Sequence, residues 1–187
     1  MVRRDSFSQT LCTLRWFAVG GQALALVAGR YWLGLPLAPL PLWSAIALLA
    51  AFNLWAMRRG SNGAALSAPE TYTHLAVDMA VLAWLLAWSG GAMNPFVSLL
   101  LVPVALAAVA LPPRWVALTT LTAACGYLFA TLAGRALADP HAGHSQDLRL
   151  HLWGMGVNFA ATAVVFLYFL SRLALSLRER ERQLAKL

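Results

Sequence analysis

Apolar stretches of 18 to 25 residues alternate along this chain with short clusters rich in Gly, Pro and charge. Such stretches have the length an α-helix needs to cross a hydrocarbon core about 30 Å thick, at roughly 1.5 Å of rise per residue. The pattern predicts six spans, at 14–33, 40–57, 71–89, 95–112, 115–134 and 150–174. Turn signals part them in order: "GLPLAPLP", "RRGSNGAALSAPE", "SGGAMNP", "LPPR" and "GRALADPHAGHSQDLR".

The expected fold class is therefore all-α, a polytopic membrane protein with six transmembrane helices, the last extending into a cytoplasmic coiled coil. Its parts are an N-terminal cytoplasmic segment (1–13), a six-helix membrane domain (14–174) and the start of a cytoplasmic signalling helix (175–187). Composition agrees: 60% of the 187 residues are hydrophobic, 11% are charged, and the mean hydropathy is +0.67.

Charge then orients the bundle, since cationic loops beside spans are retained in the cytoplasm. Eleven of the 14 Lys and Arg residues fall on one side: Arg3, Arg4, Arg15, Arg58, Arg59, Arg114, Arg172, Arg178, Arg180, Arg182 and Lys186. Arg30, Arg135 and Arg149 fall on the other. Both termini are expected to be cytoplasmic and "SGGAMNPF" to face outward. Retained cations account for the net charge of +7, so no nucleic-acid partner is needed. Seven of the eight tryptophans lie near span ends, as interface belts require; Trp84 alone does not. A cleavable leader is not expected, because Gln22 and Arg30 interrupt the first apolar stretch.

Catalytic signatures are missing. There is no CxxC, HExxH, GxSxG or phosphate-binding glycine loop, and Cys12 and Cys125 suggest packing residues rather than a disulfide framework. No catalytic or metal site is expected of this chain. The loop carrying Asp139, His141, His144 and Asp147 has donors for a metal, but their spacing fits a solvated connector better.

Ionisable groups inside spans are costly and take a partner or line a cavity. His74 and Asp78 are four residues apart and so share a helical face. They read either as an intramembrane polar switch or as a bonded pair pinning helices. Asp78 lies twelve residues before Gly90, roughly 18 Å along the axis, too far to touch a head group at the turn. Gln22, Asn53 and Asn158 read as amides bonding between helices.

Gly90, Gly91, Asn94 and Pro95 form a turn in which glycine permits left-handed backbone, Asn94 caps the next helix and Pro95 fills its first turn. A plain turn does not require Trp88 and Phe96 beside an amide at interface depth. That group could stack a planar ring and bond a carbonyl oxygen.

These residues resemble the GGxxNPF heptapeptide of RegB/PrrB/ActS-type redox-responsive sensor histidine kinases. "HLAVDMAVLAWLLAWSGGAMNPFVSLLLVPVALAAVAL" resembles that family's third and fourth spans, including Asp78 and Pro103, and "LRWFAVGGQ" resembles its first. The resemblance implies a bacterial plasma-membrane module that senses ubiquinone. It makes Asn94, Phe96 and Trp88 the expected ring contacts, with Gly90, Gly91 and Pro95 shaping the turn. Nothing after Leu177 supplies a phospho-accepting His or an ATP-binding domain. The chain reads as a kinase-less sensor part, reaching a cognate response regulator only through a kinase it does not carry.

Leu170, Leu173, Leu177, Leu184 and Leu187 follow heptad spacing, with Arg180 in the missing position, and predict a parallel homodimer through a coiled coil, the alternative being a solvated single helix. The rival readings are a quinone-interacting enzyme subunit, or a small transporter, using His74 and Asp78. The chain has no paired-His or clustered-Cys pattern to hold a redox centre and no evident inverted repeat.

Overall fold

The computed structural model describes residues 5–60, 66–134 and Met155. Every element among them is helical: α1 (Asp5–Val27), α2 (Pro39–Gly60), α3 (Ala68–Ala87), α4 (Leu101–Ala110) and α5 (Pro113–Leu132). Apart from Met155, the sixth span at 150–174, the heptad tail and the 135–149 loop lie outside the described residues.

The five described helices fall where the apolar pattern put them, with informative differences at their ends. α1 begins at Asp5 and runs on through a π-helical turn, Ala28–Trp32. Arg30 in that turn donates to the Leu37 carbonyl at 2.9 Å, tying the loop between α1 and α2 back to the helix. The start of α3 is fixed by a capping box. Ser67 Oγ accepts from the Glu70 N–H at 3.4 Å, and Glu70 Oε2 accepts from the Ser67 N–H at 2.9 Å.

The fourth span is not α-helical from its start. Pro95–Leu100 is 3-10 helix, and the α-helix begins at Leu101. Pro103 explains the tightening: it has no N–H for the Leu99 carbonyl, and its ring crowds that position. Because 3-10 helix rises about 2.0 Å per residue, the sixteen-residue segment Pro95–Ala110 reaches about 27 Å, close to a bilayer core.

Length and hydropathy make three described helices sufficient to cross a membrane: Gln9–Trp32, Pro39–Arg59 and Pro113–Leu132. α3, which carries Glu70, His74 and Asp78, lies between the other described helices. Its buried face, including Leu75, Met79, Val81 and Leu86, packs against α1 and α2 on one side and α4 and α5 on the other. Lipid tails are as apolar as leucine, so close packing and hydrogen bonds, rather than escape from water, hold such helices together. That arrangement lets α3 carry His74 and Asp78 inside the bundle.

Arg15 corrects one sequence reading. Grouped above with the inner-flank cations, it lies within the apolar segment of α1 and is buried at 2% relative exposure. Ten cations then remain in the inner group against three in the outer, so the asymmetry in the sequence persists.

Candidate functional site

The turn between α3 and α4 is built by the end of α3. Trp88 caps the helix, its N–H bonding the Trp84 carbonyl at 3.2 Å, and the Ser89 hydroxyl donates to the Leu85 carbonyl at 2.6 Å. The chain then reverses through Gly90 (φ +115°) and Gly91 (φ +62°), conformations that L side chains rarely adopt. Gly91 is also pressed against the end of α5. A Cβ there would come within 2.8 Å of the Ala130 carbonyl oxygen and 3.0 Å of the Gly134 Cα.

Asn94 closes the turn. Its Oδ1 accepts from the Phe96 N–H at 2.9 Å, capping the 3-10 segment. Its Nδ2 donates to the Ser89 carbonyl at 2.7 Å and the Ser89 hydroxyl at 2.8 Å. Both amide protons are thereby spent inside the turn. The N-cap expected from the sequence is present, on a 3-10 segment rather than an α-helix.

The aromatic residues of the turn go to opposite sides. Phe96 packs with Val97 on Met79, Leu86, Leu100 and Ala130, between α3 and α5. Trp88 packs on the α1–α2 side, with Leu26, Leu37, Leu42 and Leu85. Trp88 also meets Trp84, ring centroids 6.0 Å apart, and Trp84 in turn lies nearly parallel to Phe129 of α5, at 6.5 Å and 16°.

Deeper in the bundle is a polar cluster joining three helices. Arg15 Nε and Nη2 donate to Asp78 Oδ1 and Oδ2 at 2.5 and 2.9 Å, a bidentate pair between α1 and α3. Nη1 donates to Asn53 Oδ1 and Nη2 to the His74 carbonyl, each at 3.3 Å. Asn53 Nδ2 completes the link from α2 by donating to the Cys12 carbonyl at 3.0 Å. The guanidinium also lies 4.9 Å from the Phe52 ring centroid.

Asp78 is thus bonded to Arg15. The His74 ring rests against Phe52 at 5.2 Å, and its Nδ1 has no hydrogen-bond partner among the described residues. Gln22 Oε1 likewise has none there, while Asn53 fills the bonding role expected of it. The sequence reading missed Arg15 as the partner. Its signal was a cation six residues inside one apolar segment and a carboxylate deep in another. No group of three or more potential metal ligands occurs among the described residues. Asp139, His141, His144, Asp147 and Asn158 lie outside them.

A bundle of membrane-length apolar helices, with a buried ion pair at its centre and a glycine-locked turn at one end, defines a polytopic helical membrane domain. The chain belongs to the PilS-like transmembrane domain family, whose model matches residues 23–184. It is 34% identical over 106 residues to the sensor histidine kinase RegB of Cereibacter sphaeroides. That match covers 57% of this chain and 23% of the relative, so it spans about a quarter of that kinase. No solved structure matches the chain. The two likenesses make it a membrane sensor domain of the sensor-histidine-kinase type.

Proposed function

We propose that this domain senses the quinone pool of a bacterial plasma membrane on behalf of a histidine kinase. The observation that carries the reading is the turn from Gly90 to Phe96. The residues that resemble the GGxxNPF heptapeptide form one closed unit, locked by Asn94 and seated on α5 through Gly91. A ligand held beside that unit bears on α3, α4 and α5 together. Ubiquinone is the ligand, Phe96 and Trp88 supply apolar ring surface, and Gly90, Gly91, Asn94 and Pro95 hold the backbone that presents them.

In this reading the oxidised ring favours one packing of the third, fourth and sixth helices. A ligand shifts such an equilibrium only by its differential affinity for the two states. The sixth span carries the shift inward to a parallel coiled coil between two copies of the chain, both termini being cytoplasmic. A kinase continuing from that helix then acts on its cognate response regulator. In this reading Asp78 is a partner of Arg15 rather than a proton carrier, which is why the enzyme and transporter readings recede.

The test is saturable binding of ubiquinone to the chain in nanodiscs, repeated with Phe96→Leu, and redox titration of kinase activity in the full-length protein. Binding that weakens in the variant, with activity following the quinone potential, is the expected result. Wild-type protein that shows only unsaturable partitioning sinks the proposal.

A further inference from the structure

The turn's own polar groups are largely used up. Both Asn94 amide protons bond Ser89, Gly91 is closed off by Ala130 and Gly134, and Phe96 is packed into the α3–α5 cluster. Ring recognition must therefore draw on neighbouring surface. Trp84, in the last turn of α3, lies six residues before Gly90. Its indole N–H donates to the Pro41 carbonyl of α2 at 3.1 Å, which anchors the polar edge, and the residue is 41% exposed. Phe129, 42% exposed and nearly parallel to it, precedes the very residue whose carbonyl Gly91 abuts.

We propose that Trp84 and Phe129 are the docking platform for the quinone ring, continuous with the outward turn and open to the lipid from which the ligand arrives. This rests on the quinone-sensing reading above. The chemistry follows from the rings. An indole face is electron-rich, and a quinone ring is planar and electron-poor, so the two stack favourably. Two nearly parallel rings fixed on different helices meet such a ligand in one orientation, and the indole is held by its bond to Pro41 before the ligand arrives, which limits the ordering cost. A ligand lying across both rings also ties its occupancy to the spacing of α3 and α5 near Gly91. The apolar tail needs no groove of its own, because lipid surrounds the platform.

The experiment uses the chain in phosphatidylcholine nanodiscs, with a short-tailed ubiquinone and its photoreactive azido analogue. Affinity is measured for wild type, Trp84→Leu, Trp84→Phe and Phe129→Leu, and labelled residues are mapped by mass spectrometry. A prenyl alcohol of equal tail length controls for partitioning. We expect label around residues 84 and 129, about fivefold to tenfold weaker binding in each Leu variant, and a smaller loss in Trp84→Phe, which keeps a ring but lacks the bond to Pro41. Competition by the prenyl alcohol as effective as that by the quinone overturns the platform, because the tail alone would then be recognised. Leu variants that bind like wild type, with label confined to residues 90–96, overturn it while leaving quinone sensing intact. Absence of saturable binding in the wild type overturns both.

Discussion

Arg15 and Asp78, 63 residues apart in sequence, form a two-bond ion pair across α1 and α3, with the arginine side chain 1% exposed and the carboxylate 25%. Within an apolar bundle, such a pair is expensive to make and more expensive to break, because the surviving charge loses its partner where water is scarce. Arg15→Met should therefore cost about 3 kcal/mol of stability, the low end for buried pairs, since Asp78 keeps some exposure. The double variant Arg15→Met/Asp78→Leu should recover most of that loss. Thermal unfolding in nanodiscs measures both. A double variant no better than the single one would show that the cluster's value lies in its bonds to Asn53 and the His74 carbonyl rather than in charge neutrality.

Asn94 stabilises the turn whether or not it meets a ligand. Asn94→Asp keeps the acceptor for the Phe96 N–H but loses both donations to Ser89, whereas Asn94→Ala loses all three bonds. Removing a cap of this kind typically costs about 1 kcal/mol. Ligand-free protein should thus lose stability in the order Asn94→Ala, then Asn94→Asp, then wild type, with hydrogen exchange at Phe96 and Val97 rising in step. Full ligand-free stability in Asn94→Ala would assign the side chain to the ligand instead.

The same turn predicts a steep penalty at Gly91. A methyl group there meets the Ala130 carbonyl and the Gly134 backbone, and the residue must hold φ +62°. Backbone strain of that sort costs about 1–3 kcal/mol before the clash is counted. Gly91→Ala should lower the unfolding midpoint and loosen the α5 end, read as faster exchange at Ala130 to Ala133. Gly90→Ala, at φ +115°, should also destabilise.

The described helices and the shape of the turn were legible because both rest on local rules: runs of apolar length, breakers between them, and an Asn-Pro step that caps a helix. Partners across the bundle were not. His74 and Asp78 share a helical face, and that spacing drew attention to each other rather than to Arg15, whose position near the N-terminus made it look like a flanking charge. Trp88 and Phe96 are close in sequence, yet α3 intervenes and sends them into separate clusters. Periodicity reports which face a residue occupies, and only packing reports what that face meets. Pro103 was read as a point of resemblance, while its effect on Pro95–Leu100 needed the backbone to become visible.

The start of α3 supplies a prediction in pH. Glu70 accepts bonds from the Ser67 N–H and hydroxyl, and these, aided by Arg59 at 3.5 Å, hold its carboxyl below the usual carboxylate range. A group whose value is depressed by folding contributes stability above its unfolded value, near 4.3, and loses that contribution as pH falls through the folded one. Wild type and Glu70→Gln should therefore differ in unfolding midpoint at pH 7 and converge in acid, where Glu70 is protonated. Ser67→Ala should return the Glu70 carboxyl towards its ordinary value, followed by carbon NMR of the labelled side chain. The effect is small because Glu70 is solvent-exposed, and high salt should shrink only the part due to Arg59. A difference between wild type and Glu70→Gln that persists unchanged in acid would mean that the box works through shape alone and that the carboxylate charge adds nothing.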